Sequence, residues 1–390
     1  MKMEILRDRA SLDRLAAEWN PLLERSAANT IFLTWEFIAS WLETVAPEVE
    51  LYVVTVRDDA GRLLAIAPFY RSRARFMKLV SYRCLCLLAD QASASEYLDI
   101  IVDRECEQEV LAELGRYLAA QSDWDCIWMT RLSGWSGTVE RMEVLCEGGG
   151  FRMNRRTRPF SCVQLPDTMD AYLERFSSKT RYQFRRGRKQ LESSGTVRFR
   201  FCETLEEVPE FVALLEDLHQ KHWVDVGDPG AFRRNPLFRK FLDVLCPRMA
   251  EKGWLGFSGV EVDGRMVAIQ FGLIYNGVFN AIQEGFDPDY KAVTEGVGNV
   301  LRLEVIRRCI ESGLREYDFL GGETWHKARW KAESRTGYDL FIGRESFKNA
   351  PIFRRKIWPT GRYLRLDVVG GRTGQKTVDK SLVTSAAGQA

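Results

Sequence analysis

The stretch WLGFSGVEVDGRMVAIQFGLIYNGVFNAIQEGF, residues 254–286, holds three apolar runs cut by Asp263-Gly264 and Asn276-Gly277. Asp-Gly and Asn-Gly between such runs are the strongest short hairpin signals, because both residues of a type I′ turn need positive φ. The spacing therefore predicts three antiparallel strands over 254–262, 266–275 and 278–286. Downstream, NVLRLEVIRRCIESG (299–313) has helical spacing and ends on Gly313, the usual left-handed stop. REYDFLGG (315–322) and YDLFIGRESF (338–347) read as further strands. Upstream lie helices over about 167–176, 178–193, 208–223 and 236–251, with a strand at 197–203. A meander, a helix and a strand make a mixed sheet.

The first half repeats that order. Helices are expected near 10–25 and 34–46, the second capped by Thr34 ahead of Trp35, Phe37, Ile38, Trp41 and Leu42. Strands follow at 51–56, 63–70, 76–88 and 96–102, then a helix over 106–120 and a strand at 124–132. The expected fold class is α/β with mixed sheets in two tandem halves, 1–150 and 151–349, followed by a basic aromatic tail and a disordered end over 350–390. A chain of 390 residues suits two cores. With 45% hydrophobic and 28% charged residues it reads as globular, and a net charge of +2 selects no partner. No apolar run approaches the ~20 residues that span a bilayer, and the amino terminus lacks the apolar core of a secretion signal. The nine scattered cysteines fit neither a disulfide framework nor a metal clamp, and are expected as buried, reduced thiols of a cytoplasmic protein.

The run from Phe286 to Trp330 ends in Asp318-Phe319-Leu320-Gly321-Gly322 and Trp325-His326-Lys327-Ala328-Arg329-Trp330. With the basic helix Ser178-Lys179-Thr180-Arg181-Tyr182-Gln183-Phe184-Arg185-Arg186, it resembles the GNAT-superfamily acyltransferases of the CelD type. One departure stands out: His326 occupies a position where that family usually has an aromatic residue. The resemblance implies a tandem GNAT-like fold related to the Fem-type peptidyltransferases, which use aminoacyl-tRNA. It also implies a place in bacterial polysaccharide or envelope biosynthesis.

In a GNAT-like fold an acyl carrier lies in a splay between two strands, its pyrophosphate over a helix N-terminus where N–H groups are free. Thr294, Gly296, Gly298 and Asn299 stand at that point, as donor-binding candidates or as an ordinary helix start. Aminolysis of a thioester needs a base for the amine and a donor for the oxyanion. Glu284 and Asp318 are the candidate bases. Lys327 is the candidate partner for a donor phosphate or the oxyanion, the alternative being that Asp318 and Lys327 hold the strand end. His222 and Trp223, at the end of the 208–223 helix, border a possible lid and join Arg181 and Trp330 as substrate-contact candidates. With three histidines and no third ligand near His219 and His222, no metal site is expected.

The expectation is an acyltransferase using acyl-CoA as donor substrate, with no resident cofactor and an amine or hydroxyl acceptor of an envelope polysaccharide or amino-lipid precursor. A Fem-type transferase with a tRNA donor and a non-catalytic subunit of a synthase complex remain open. The basic run 179–192 and the tail 353–366 suit peripheral contact with an anionic membrane at its inner face, or else a solvated helix face and a packed tail.

Overall fold

The computed structural model describes residues 1–355, 358 and 364–366, apart from 78, 226, 291–295, 323 and 324. Two compact units divide the chain: Met1–Phe160 with Arg335–Ala390, and Ser161–Ser334.

The first unit begins with β1 (Lys2–Leu6), α1 (Arg9–Asp13), α2 (Ala16–Arg25) and α3 (Trp35–Thr44), so the single helix expected near 10–25 is two. Thr34 caps α3 by accepting from the Phe37 amide. Then come β2 (Glu50–Arg57), β3 (Leu63–Phe76), β4 (Val80–Leu87), β5 (Ile101–Val102), α4 (Glu107–Ala120), β6 (Cys126–Ser133) and α5 (Thr138–Gly149). β7 (Phe151–Gln164) carries the chain into the second unit. Strand 96–102 shrinks to its last two residues because the segment before it is looped, with Ala92, Ala94 and Tyr97 all at positive φ.

The second unit contains α6 (Met169–Glu174), α7 (Ser178–Ser193), β8 (Val197–Phe201), α8 (Val208–Asp225), α9 (Gly230–Arg234) and α10 (Leu237–Glu251). The predicted meander comes next as β9 (Leu255–Val262), β10 (Arg265–Tyr275) and β11 (Val278–Phe286), and then α11 (Val297–Glu311), β12 (Glu316–Gly321) and α12 (Trp325–Ala328). Asp263, Gly264, Asn276 and Gly277 all have positive φ, as the two hairpin turns require. β13 (Glu333–Arg344), α13 (Ala350–Arg355) and β14 (Leu364–Leu366) return to the first unit.

Segment 335–349, placed by sequence order in the second half, therefore lies in the first unit, where β13 pairs antiparallel with β6. The tail belongs there too: Ile352 and Phe353 are buried, Phe353 meets Phe341 edge-on, and β14 pairs with β3. The expected disorder beyond Gly370 lies outside the described residues. All nine cysteines are free thiols, but Cys106 and Cys202 are only half-buried. Among the described residues no helix is long and apolar enough to cross a membrane.

The two units share one topology. In the first, β2, β3 and β4 form an antiparallel meander, α4 crosses over, and β6 pairs parallel to β4. In the second, β9, β10 and β11 do the same, α11 crosses over, and β12 pairs parallel to β11. Each parallel ladder spans three residue pairs, Cys84–Cys86 with Cys126–Trp128 and Val278–Asn280 with Glu316–Asp318. The units differ beyond the ladder. β4 ends one residue past it, whereas β11 runs on for six residues to Phe286. That overhang is bulged, since Phe271 faces Gln283 and Gly272 faces Ala281 across β10.

The core of the second unit gathers Tyr172, Phe176, Phe184, Val300, Leu301, Ile306, Tyr317 and Trp330. α8 lies on the overhang of β11, and Gly285 makes that approach possible. A Cβ there would stand 2.5 Å from the His219 backbone nitrogen. Gly285→Val is expected to lower stability by about 2–3 kcal/mol, because helix backbone cannot yield as a side chain does. Urea unfolding measures it, and an unchanged midpoint would mean that α8 is free to shift.

Candidate functional site

Beyond Asn280 and Asp318 the parallel ladder stops, and the end of β11, the start of α11 and the end of β12 bound one corner of the second unit. The side chains reaching it come from four elements. Gln270 lies in the apolar strand β10, Glu284 on the overhang of β11, Asn299 and Arg302 on the first turns of α11, and Tyr317 on β12. The Arg302 guanidinium donates to Glu284 through Nε at 3.1 Å and through a second, closer nitrogen, and to Asn299 Oδ1 at 2.9 Å. Gln270 Nε2 donates to the Glu284 carboxylate and lies 2.7 Å from the Tyr317 hydroxyl. Burial opposes the charge on Arg302, yet Glu284 beside it leaves the guanidinium pKa raised. Burial likewise pushes the Tyr317 hydroxyl far above its ordinary range.

An aromatic roof covers this pair. Arg302 lies 5.3 Å from the Trp330 ring centre and 5.7 Å from that of Phe319. Phe184, on α7 one turn after Arg181, stacks on Trp330 with centroids 5.4 Å apart and planes 13° from parallel. Tyr172 donates its hydroxyl to the Trp330 carbonyl at 2.8 Å. Three polar atoms here are buried without a hydrogen-bond partner among the described residues: Trp330 Nε1, Gln270 Oε1 and His326 Nδ1.

The predicted residues divide by what already holds them. Glu284 is at the centre of the corner, but Arg302 and Gln270 occupy its carboxylate. Asp318 is buried, and its Oδ1 accepts the Leu320 amide at 2.6 Å, fixing a turn in which Leu320 has φ +59°. Lys327 Nζ donates to the carbonyls of Phe319, Leu320, Gly321 and Gly322 at 2.5–3.3 Å. Both residues thus serve the end of β12.

At the start of α11, Gly296 has φ +77° and ψ +147°, a conformation essentially reserved for glycine. Space beyond its missing Cβ is open, whereas a Cβ on Gly298 would enter the Phe286 ring. Gly298 is therefore explained by packing, and Asn299 holds Arg302. Thr294 lies outside the described residues. His222 and Trp223 pack edge to face, and His222 also meets Phe286. They border the corner through that ring. Arg181 is half-buried on α7.

His219 is a clamp. Its Nε2 accepts the Ala231 amide at 3.0 Å, so Nδ1 carries the proton and donates to the Glu284 carbonyl at 2.8 Å. Burial lowers its pKa below 6.5, against a smaller upward pull from that bond. Arg302, Gln270 and Tyr317 escaped the sequence reading, and His326 entered it only as a departure from an expected aromatic residue. For Gln270 a signal existed: a lone amide inside MVAIQFGLIY must find partners when that strand is buried.

Lys327→Met strips a cation from four carbonyls, and stability should fall by about 2 kcal/mol. A Met variant as stable as wild type but defective in turnover would return Lys327 to the chemistry. For His219, the unfolded chain binds a proton near pH 6.5 while the folded chain resists it. Its share of stability is complete above that pH and declines as pH falls below it. The difference in unfolding free energy between wild type and His219→Gln should narrow on acidification from about pH 7.5 to 5.5. A constant difference would mean that His219 does not stay neutral.

Residues 178–332 match the acetyltransferase (GNAT) domain family. No curated protein matches the sequence. Among solved structures, FemX is 11% identical and covers 91% of this chain and 99% of its own, with a TM-score of 0.61. A protein of unknown function from Bacteroides thetaiotaomicron is 12% identical over 88% of this chain and 100% of its own, with a TM-score of 0.53. The C-terminal domain of a putative lysylphosphatidylglycerol synthetase from Agrobacterium fabrum is 11% identical over 88% and 95%, with a TM-score of 0.51. Such identities speak to fold alone. Together with the βαβ crossover at β11, α11 and β12, the family match makes residues 178–332 of this chain a GNAT-type acyltransferase domain.

Proposed function

We propose that the second unit transfers an acyl group from acyl-CoA to an amine, with a CelD-type role in which the acceptor is an amino sugar or amino lipid of the bacterial envelope. The observation that carries this reading is the interrupted parallel ladder. After Asn280 and Asp318 the backbone of β11 continues without β12 beside it in register, and α11 begins at that same corner. An extended thioester could add itself to such an overhang through backbone hydrogen bonds. The start of α11 has no side-chain cap and no acid in its first turn, which suits a phosphate. Polar atoms without partners under the Trp330 roof suit an acceptor that brings its own donors and acceptors.

A second reading has one observation in its favour, the likeness to FemX along 91% of the chain. In that reading the donor is an aminoacyl-tRNA ester, and the basic face of α7, with Lys179, Arg185, Arg186 and Lys189 exposed, would meet its phosphates. The same face would meet anionic lipid headgroups if the enzyme works at a membrane surface.

Native mass spectrometry against CoA thioesters of increasing chain length, with aminoacyl-tRNA in parallel, separates the donors. Retention of one thioester length class, and release of CoA thiol when an amine acceptor is added, is the expected result. Retention of aminoacyl-tRNA and of no CoA thioester would overturn the acyl-CoA reading. Binding of neither, with capture by synthase subunits, would favour a non-catalytic subunit.

A further inference from the structure

Acyl transfer to an amine needs a base, and the two carboxylates nearest the corner are both engaged. Glu284 accepts from Arg302 and Gln270, and Asp318 Oδ1 is bonded to the Leu320 amide. The chain has three histidines. His219 has both ring nitrogens committed, one to the Glu284 carbonyl and one to the Ala231 amide. His222 packs its ring on Trp223 and Phe286. His326 differs from both: its Nδ1 is buried and has no hydrogen-bond partner among the described residues.

Position points the same way. α12 begins just past the end of β12, and Lys327 ties it to the carbonyls of residues 319–322. His326, next to Lys327, is thereby anchored at the strand end, its ring stacked on Trp325 with centroids 4.6 Å apart and planes at 22°. Two more partnerless polar atoms, Trp330 Nε1 and Gln270 Oε1, belong to side chains that contact the Arg302–Glu284 pair. A buried polar atom without a partner costs stability, and these three, close to one ion pair, offer a ligand hydrogen bonds that the described residues do not take up.

We infer that His326 is the general base that takes the proton from the acceptor amine, resting on the acyl-transfer reading above. The neutral imidazole accepts the proton as the amine nitrogen bonds to the carbonyl carbon. The tetrahedral intermediate collapses with cleavage of the carbon–sulfur bond, and the imidazolium returns the proton to the departing thiolate. The products are an amide and a free thiol, and the histidine ends as it began. With an aminoacyl-tRNA ester the same proton goes to the departing ribose oxygen.

Two charged groups bear on this ring from other elements, Arg302 of α11 and Glu284 of β11, while Lys327 and Arg329 are its neighbours in sequence. Burial, and then the positive charge of Arg302, lower the His326 pKa below 6.5, with Glu284 pulling the other way. The imidazole is therefore neutral at pH 7, as a base must be.

His326→Gln and His326→Phe, each checked for folding by thermal unfolding, are assayed from about pH 5.5 to 9 with acyl-CoA and with aminoacyl-tRNA as donors. The Phe variant restores the aromatic residue usual in the CelD-type family. The expected wild-type kcat falls on the acid side of a single ionisation below pH 6.5. Both variants should lose about 10²–10⁴-fold in kcat, the range typical of a general base, keep donor KM within about twofold, and lose that acid limb. A kcat within about tenfold of wild type, or a larger loss with the acid limb intact, would overturn the assignment, the second outcome marking His326 as a positioning residue. Wild-type transfer from tRNA alone would sink the acyl-CoA reading and leave His326 to be judged by the same variants. Inertness with both donors would overturn both.

Discussion

A guanidinium buried under aromatic rings is tolerable only with a carboxylate beside it, and the second unit is arranged around that requirement. Arg302 has 11% of its side chain exposed and meets Glu284, which is 23% exposed. Removing one partner of so buried a pair typically costs about 3–5 kcal/mol, because the other charge is stranded. The pair therefore fixes the rotation of α11 against β11, and Asn299 one turn earlier fixes the guanidinium plane. Gln270 and Tyr317 extend the network into β10 and β12, so three strands and a helix share one polar centre. Trp330 and Phe319 close over it, and Phe184 brings α7 against Trp330. An apolar core would pack as well, but it would not specify which helix face meets the overhang of β11.

The end of β12 is held by a second polar device. Parallel strands that part company leave carbonyls without partners, each a cost if buried. Here Lys327 gathers four of them, and Asp318 takes the Leu320 amide where the backbone turns left-handed. These are residues that sequence reasoning singles out for catalysis. A charged residue at a strand end in a glycine-rich context is legible as important, but its spacing does not reveal whether it faces a ligand or its own backbone. That distinction depends on rotamers and on the path of the chain two residues away.

Other features were legible for good physical reasons. Asp263-Gly264 and Asn276-Gly277 dictate positive φ, and the meander β9–β11 follows from local chemistry alone. α7 and α11 follow from helical periodicity. The strand β7 did not emerge, since FRMNRRTRPFSCVQ has four arginines in its first eight residues and offers little apolar alternation. β13 was visible as a strand but not as a partner of β6, because pairing over some two hundred residues leaves no local mark. His326 appeared only as a departure from an expected aromatic. Its significance comes from Arg302 and Glu284, which no spacing rule places beside it.

The repeated topology shows where the two units part: beyond the parallel ladder that both possess. Both units close a meander with a helix and a three-pair parallel ladder, so each has the backbone from which an overhang can be made. In the first unit β4 ends at Leu87, and the chain enters a buried loop through Ala89, which has φ +65°. Asp90 there accepts from the Tyr70 hydroxyl at 2.8 Å, and burial raises its pKa to about 7. The equivalent of the open edge is thus filled by the protein's own chain. In the second unit β11 runs on past its ladder, bulges at Ile282, and presents Glu284. A duplicated fold needs only one such opening. The half that has it sets the Arg302–Glu284 pair at the overhang, whereas the most buried pair of the first unit, Arg141 with Asp99, ties α5 to the segment before β5.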